Sequence, residues 1–189
     1  MRQGTTIKGL ITLGLFALMG VYTESAKAAE PKAIIATKFG AIEITFFPDK
    51  APQHVENFLK LARSGFYNGT IFHRVVPGFV IQGGDPLTKG KDTAKYGTGG
   101  PDHKVTAEFN DRPHTRGIVS MARSQHPDSA GSQFFIVVAE ARALDGKYTV
   151  FGQVVKGMDV VDKIVALQRD PRDMPLERVE MTVRIVDQE

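Results

Sequence analysis

Hydrophobic positions along this chain change period several times, and each change marks an element. In 42–47, Ile42, Ile44 and Phe46 alternate with Glu43 and Thr45, and a second apolar run, 33–37, precedes them across Phe39-Gly40. A period of two broken at a glycine predicts a β-hairpin. Pro48-Asp49-Lys50-Ala51-Pro52 ends the second strand and opens a helix, with Pro52 near the first helical position, where its missing N–H costs nothing. Val55, Phe58, Leu59 and Ala62 then recur at helical spacing, His54, Glu56, Lys60 and Arg63 fall on other faces, and Gly65 is placed to end the helix. A second amphipathic helix is predicted over about 158–167, with Val161, Ile164 and Val165 inward. Short β-rich runs fill 70–76, 79–82, 117–122, 133–138, 149–155 and 179–186. Eight or so short strands with two separated helices predict a mainly β fold: a closed eight-stranded antiparallel barrel capped by two α-helices. The longest stretch without a period is 89–105, polar and glycine-rich around Gly97-Thr98-Gly99-Gly100-Pro101, and 170–175 is a second, shorter loop. Long ordered loops in a compact domain tend to carry function.

The N-terminus has a different pattern. Arg2 and Lys8 precede a mostly apolar stretch from Gly9 to Tyr22, and Ala26-Lys27-Ala28 follows as a small-x-small site. These are the three parts of a secretory signal peptide. The stretch is short of the ~20 residues that span a bilayer, and no cysteine follows to take a lipid. The alternatives are an uncleaved anchor or a core helix. The expected organisation is a signal peptide over 1–28 and one domain over 29–189, exported to the periplasm without a stable membrane anchor. Losing Arg2, Lys8, Lys27 and Glu24 with the leader brings the formal charge from +3 to +1.

Composition narrows the chemistry. At 189 residues, 42% apolar and 24% charged, the chain has the size of one domain with an adequate core. Lys and Arg are scattered, so no nucleic-acid footprint stands out. Zero cysteine removes disulfides, thiolate zinc sites and thiol catalysis together. Gly97-Thr98-Gly99-Gly100 lacks the third glycine of a dinucleotide fingerprint, and Pro101 follows where a helix should open. No Walker A or G-x-S-x-G pattern occurs, and the five histidines show no metal-binding spacing. A hydrolase built on Ser132 would need a neighbouring base that the sequence does not name. No metal and no cofactor are expected.

The informative segment runs from Phe72-His73-Arg74 through Pro77-Gly78-Phe79-Val80-Ile81-Gln82 to Gly83-Gly84-Asp85. Alternation puts Arg74 and Val76 on one face; after the Pro-Gly turn, Phe79 and Ile81 share one face and Val80 and Gln82 the other. His73, as a strand neighbour, is expected to point away from Arg74. A second strand, Gly131-Ser132-Gln133-Phe134-Phe135-Ile136, again sets an amide among aromatics. One guanidinium, two glutamines and several phenylalanines thus converge on an apolar concavity with a few fixed donors, the pattern of a peptide or small-ligand pocket. Taken singly, Arg74 reads as a solvated strand charge and Phe79 and Phe135 as core.

Together these motifs resemble the cyclophilins, the cyclosporin-binding class of peptidyl-prolyl cis-trans isomerases. Gly97–Gly100, Ser120-Met121-Ala122, 131–136 and Leu144-Asp145-Gly146 with Phe151-Gly152 are similar to further family motifs in the same order, over about 33–186. With the export signal, the chain resembles the periplasmic bacterial branch. The resemblance implies an eight-stranded barrel with an outer groove, in which Arg74 is the catalytic guanidinium. It implies that Phe79, Phe135 and Leu144 line a proline pocket, that Gln82 orients Arg74 and substrate, and that Gln133, Met121, Ala122 and Gly97 lie along the groove. Val80 stands where methionine is frequent, Tyr148 where histidine is frequent, and Ala143 where many eukaryotic members carry a tryptophan; this chain has no tryptophan. Weak cyclosporin binding is therefore expected. The loop 123–130 is about one residue longer than usual, which leaves Arg123 and Ser124 as alternatives for the groove residue whose backbone pairs with substrate. The implied activity is isomerisation of X–Pro bonds in unfolded or partly folded exported polypeptides, by a monomer. The alternative is a proline-peptide binding module or chaperone without turnover.

Overall fold

The computed structural model describes residue 1 and residues 31–187. Apart from Met1, the expected signal peptide lies outside the described residues. The opening hairpin pairs β1 (Lys32–Thr37) with β2 (Gly40–Phe46) in antiparallel register, Ile35 opposite Ile42 and Ala33 opposite Ile44. The turn needs its glycine: Gly40 has φ +129°, and a Cβ there would meet Val160 Cγ2 at 2.9 Å.

The first helix, α1 (Pro52–Arg63), begins with its proline at the position read from sequence. It ends in a Schellman motif: Gly65 adopts φ +74°, Gly65 N–H donates to Ala62 O (3.0 Å) and Phe66 N–H to Leu61 O (3.0 Å). The remaining strands are β3 (Arg74–Val76), β4 (Val80–Gly83), β5 (Ile118–Met121), β6 (Phe134–Val137), β7 (Val150–Lys156) and β8 (Thr182–Val186), and α2 (Met158–Val165) follows β7. In α2 the buried residues are Val160, Val161 and Ile164, while Val165 is only half-buried, so the inward face is turned slightly from the one the spacing predicted.

All eight strands form one antiparallel sheet in the order β3-β4-β6-β5-β7-β2-β1-β8. The expected closed barrel is not formed: the sheet curls but stays open between β3 and β8. Its edges approach through one bridge, Ile71 with Glu180, and through Phe72 N–H to Val179 O (3.1 Å) and Met181 N–H to Thr70 O (2.8 Å). The outer edge of β3 is taken instead by the loop 170–175, where Val75 N–H donates to Asp173 O (2.8 Å). The seven- and eight-residue strands read at 70–76 and 179–186 thus shorten to Arg74–Val76 and Thr182–Val186, because residues 70–72 and 179–181 meet through a single bridge rather than a continuous ladder.

Alternation sorts the sheet into two apolar bodies. Inward residues Val75, Ile81, Val119, Phe134, Ile136 and Phe151 join the faces of α1 and α2 in the main core. Phe58 of α1 sits at its centre, with ring centroids 4.9 Å from Tyr67, 5.4 Å from Phe151 and 5.6 Å from both Phe46 and Phe134. Outward residues Val80, Ile118, Phe135, Val137 and Val150 form a second, smaller cluster with Phe47 and Ala141 on the outer face. A strand such as β6, Phe134-Phe135-Ile136-Val137, is buried on both faces for this reason.

Candidate active site

The outer cluster is where the polar residues of the informative segment surface. Arg74 lies opposite Gln82 in the β3–β4 ladder, Gln82 opposite Phe135 in β4–β6, and Phe135 opposite Ser120 in β5–β6. A guanidinium, an amide and an aromatic ring therefore stand in one row on neighbouring strands, each step about 4.8 Å wide. The row ends at a hollow of ≈ 100 Å³ whose apolar wall is Phe79, Val80, Phe135, Leu144 and Tyr148, with Arg74 and Gln82 on the polar side.

Each wall residue has a local cause. Phe79 sits in the turn before β4, not in the strand, so it leaves the face of Ile81 and packs beside Val80 on the outer cluster. The alternation expected for Phe79 and Ile81 fails there. Leu144 ends a 3₁₀ turn, Arg142–Leu144, that is tied down by Ala141 N–H to His114 O (2.8 Å) and by the Asp145 carboxylate, which accepts from His114 N–H (2.7 Å) and lies 2.9 Å from its Nδ1. The His114 ring in turn stacks at 6.0 Å on Phe135, and Tyr148 meets Phe135 edge-on at 5.6 Å. Burial pushes the His114 pKa down against the pull of Asp145, so the ring is neutral and donates from Nδ1. His114 Nε2 lies 3.1 Å from Ser120 Oγ. The Ser120–His114–Asp145 series has triad-like distances, yet Ser120 and His114 are both 0% exposed, so no acyl group reaches it. Ser132, the other serine considered, is also buried and donates from Oγ to Gly84 O (2.7 Å).

The polar side is a chain of amides. Gln82 Nε2 donates to Gln133 Oε1 (3.0 Å), and Gln133 Nε2 donates to Gly99 O (2.8 Å). Gln82, expected to orient Arg74, gives one amide N–H to Gln133, and the carboxylate beside Arg74 is Asp173, Oδ2 to Nε at 3.9 Å. The Arg74 side chain is 39% exposed and open to the groove. His73 lies just before β3 under Gly97, 6% exposed, with neither ring nitrogen bonded; burial lowers its pKa and keeps it neutral.

Ala122 borders the apolar hollow and a second one of ≈ 380 Å³, which Gln82, Gln133 and Gly97 also line. Met121 does not join them. It is 1% exposed and faces the main core with Val119, because alternation in β5 turns it inward. Sequence reading gave no role to Lys104, Asp173 or the Arg123 side chain, all of which border these hollows or Arg74. They lie in loops without a period, where position is set by partners distant in sequence. Among the described residues no group of three or more His, Asp or Glu is placed to hold a metal ion, and no helix is long and apolar enough to cross a membrane.

Comparison with known proteins places this arrangement. Residues 32–185 match the family model of the cyclophilin type peptidyl-prolyl cis-trans isomerases. The chain is 45% identical over 166 residues to a probable peptidyl-prolyl cis-trans isomerase of Brucella abortus, covering 84% of this chain and 85% of that protein. It is 44% identical over 147 residues to a peptidyl-prolyl cis-trans isomerase of Arabidopsis thaliana, 77% and 89% of the two chains. A crystal structure of a cyclophilin type isomerase of Cryptosporidium parvum, determined in the presence of the dipeptide Ala-Pro, superposes with a TM-score of 0.75 at 32% identity, over 84% of this chain and 99% of that one.

Proposed function

The chain belongs to the cyclophilin-type peptidyl-prolyl cis-trans isomerases, and from that premise we propose that it turns X–Pro bonds with Arg74 as the donor to the prolyl nitrogen, during folding of exported proteins in the periplasm. The enzyme is a peptidyl-prolyl cis-trans isomerase. The observation that carries the mechanism is the row Arg74–Gln82–Phe135 beside a hollow the size of one small ring.

Rotation about an X–Pro amide makes and breaks no bond. Its barrier of ~18–20 kcal/mol comes from resonance between the nitrogen lone pair and the carbonyl. In the twisted state the nitrogen is pyramidal and its lone pair accepts a hydrogen bond, so a donor aimed there stabilises the transition state more than either planar ground state. Arg74 suits that role: it stays charged, and its contact with Asp173 through Nε leaves the two Nη groups for the groove. The pyrrolidine ring sits against Phe79, Phe135 and Leu144, and the free Oε1 of Gln82 together with Ala122 and Gln133 holds the preceding residues, so one side turns against the other. Shortening a ~10–100 s event to about a millisecond takes roughly 10⁴–10⁵-fold, or ~5.5–7 kcal/mol. A charged donor beside a half-buried apolar wall supplies an amount of that order.

Exchange NMR on an Ala-Pro peptide, with Arg74→Ala beside the native protein and folding checked by circular dichroism, tests the mechanism. The expected loss in kcat/KM is roughly 10²–10³-fold with the fold intact. An unchanged rate removes Arg74 from the mechanism, and peptide binding without turnover by the folded native protein makes the groove a binding module. Export is supported by the charged, apolar and small-residue parts of 1–28; N-terminal sequencing of the protein from the periplasmic fraction is expected to begin at Ala29.

A further inference from the structure

The two loops without a period, 89–105 and 170–175, meet beside Arg74 and enclose a hollow of ≈ 330 Å³, separate from the two described above. Thr93 and Tyr96 come from the first loop, Arg172 and Met174 from the second, and His73 and Arg74 from the edge of the sheet. The second loop is preformed. The Asp170 carboxylate accepts from Arg172 N–H (2.8 Å) and Met174 N–H (2.9 Å), and Asp170 N–H donates to Met174 O (2.8 Å). Arg172 then reaches across to the first loop, where its Nη1 donates to Thr93 O (3.4 Å). The isomerase mechanism gives Arg172 no part.

Among the described residues, the charged groups that line this hollow are Arg74 and Arg172 alone. Each meets a carboxylate through Nε: Arg74 faces Asp173 Oδ2 at 3.9 Å, and Arg172 faces Asp170 Oδ2 at 3.3 Å. Asp173 is shared with Arg169, whose Nε lies 3.1 Å from Oδ1. Two carboxylates thus serve three guanidiniums. Both Nη groups of Arg74 and Nη2 of Arg172 have no partner among the described residues. Asp85 lies behind Gly97, its charge spread over the N–H groups of Leu87, Gly97 and Gly99. His73 lines the same hollow at 6% exposure, and neither of its ring nitrogens is hydrogen-bonded. A buried polar atom without a partner is costly, and an acceptor bound beside it relieves that cost. Two guanidinium edges, an excess of positive charge and a buried ring N–H are together complementary to an oxyanion.

We propose that this hollow binds a small dissolved oxyanion of the phosphate kind, with Arg172 as its anchor, and that the bound anion slows isomerisation by engaging the Nη groups of Arg74. The inference rests on the isomerase reading above, because the reaction slows through loss of the Arg74 donor. The anion and the prolyl nitrogen compete for the same edge of one guanidinium, so occupancy of the hollow lowers kcat/KM. The Arg172 side chain is 58% exposed, so the affinity is modest, on the order of 1–10 mM, and weakens with salt.

The test adds inorganic phosphate to the native protein, with chloride at matched ionic strength as the control. Exchange NMR on an uncharged Ala-Pro peptide gives kcat/KM, and the protein's own His73 ring and Arg172 Nε–Hε signals give Kd. At about 20 mM phosphate, kcat/KM is expected to fall roughly three- to tenfold below the chloride value, with saturating shifts that yield the same constant. Arg172→Gln is expected to keep the basal rate and to shrink the phosphate effect to less than about twofold. An effect no larger than that of chloride overturns the inference, as does one that Arg172→Gln leaves intact, or saturable binding with no change in rate. The shifts keep the two readings apart. A protein that binds phosphate at His73 and Arg172 yet never isomerises the peptide keeps the oxyanion site and loses the isomerase mechanism. An active protein whose signals do not move loses the oxyanion site alone.

Discussion

Arg74 and Phe135 are on different strands, and what brings them together is a ladder in which Gln82 opposes both. Single side chains on that row have separable effects. Phe79 is half-buried in a turn, so Phe79→Ala removes one wall of the proline hollow without opening the core. A loss of about tenfold in kcat/KM, mostly in KM, with a melting temperature near that of the native protein, is expected from the lost apolar contact. Phe58→Ala is the opposite case: a ring with 0% exposure at the centre of the main core. It is expected to cost about 3–5 kcal/mol in urea unfolding. Weak cyclosporin binding is expected too, since the Ala143 side chain offers no ring and no N–H where the family often has an indole. Nanomolar inhibition in a peptide assay would overturn that expectation. Met121 shows the limit of motif reading at this scale. It lies inside a matching motif, yet its face is fixed by the β5 pleat, which turns it to the core while Ala122 remains at the groove.

At the scale of elements, the helix boundaries and the hairpin were legible because their causes are local. Pro52 opens α1, Gly65 closes it, and Ile42, Ile44 and Phe46 declare their shared face by period alone. Gly65→Ala places a Cβ at φ +74° and is expected to lower stability by about 1 kcal/mol, measured as a shift in the urea midpoint with unchanged activity. Loops were legible only as loops. The stretch 170–175 gives no sign in sequence that Asp173 will bond Val75 and face Arg74, with φ +63° at a residue that has a Cβ. Nor does 89–105 reveal that Asp85 gathers the N–H groups of Gly97 and Gly99, which shapes one side of the larger hollow. Those contacts join segments far apart in the chain, and no periodicity records them.

For the whole molecule, burial of three histidines sets the response of stability to pH. His54, His73 and His114 are all buried, and burial holds each below the ordinary histidine value of 6.5, outweighing the carboxylates Glu108, Asp85 and Asp145 near them. Below about 6.5 the unfolded chain takes up protons that the folded chain refuses. Their stabilising effect is complete above that value and is lost as pH falls from it toward the lowered folded values. The urea midpoint is therefore expected to be lower at pH ~5.5 than at pH ~7.5, and a flat profile would show that these histidines titrate alike in both states.

The amino-acid sequence by itself determined the strand and helix inventory, the family, and that Arg74, Phe79, Gln82 and Phe135 meet at one groove, since alternation, helical spacing and ordered motifs are properties of neighbours along the chain. Only the tertiary structure decided that the sheet remains open between β3 and β8, that Asp173 stands beside Arg74, and that Lys104 and Arg123 share one cavity. Each of these depends on which distant segment supplies a hydrogen-bond partner or fills a gap. That choice is made by the packing of the whole sheet, which no local pattern encodes.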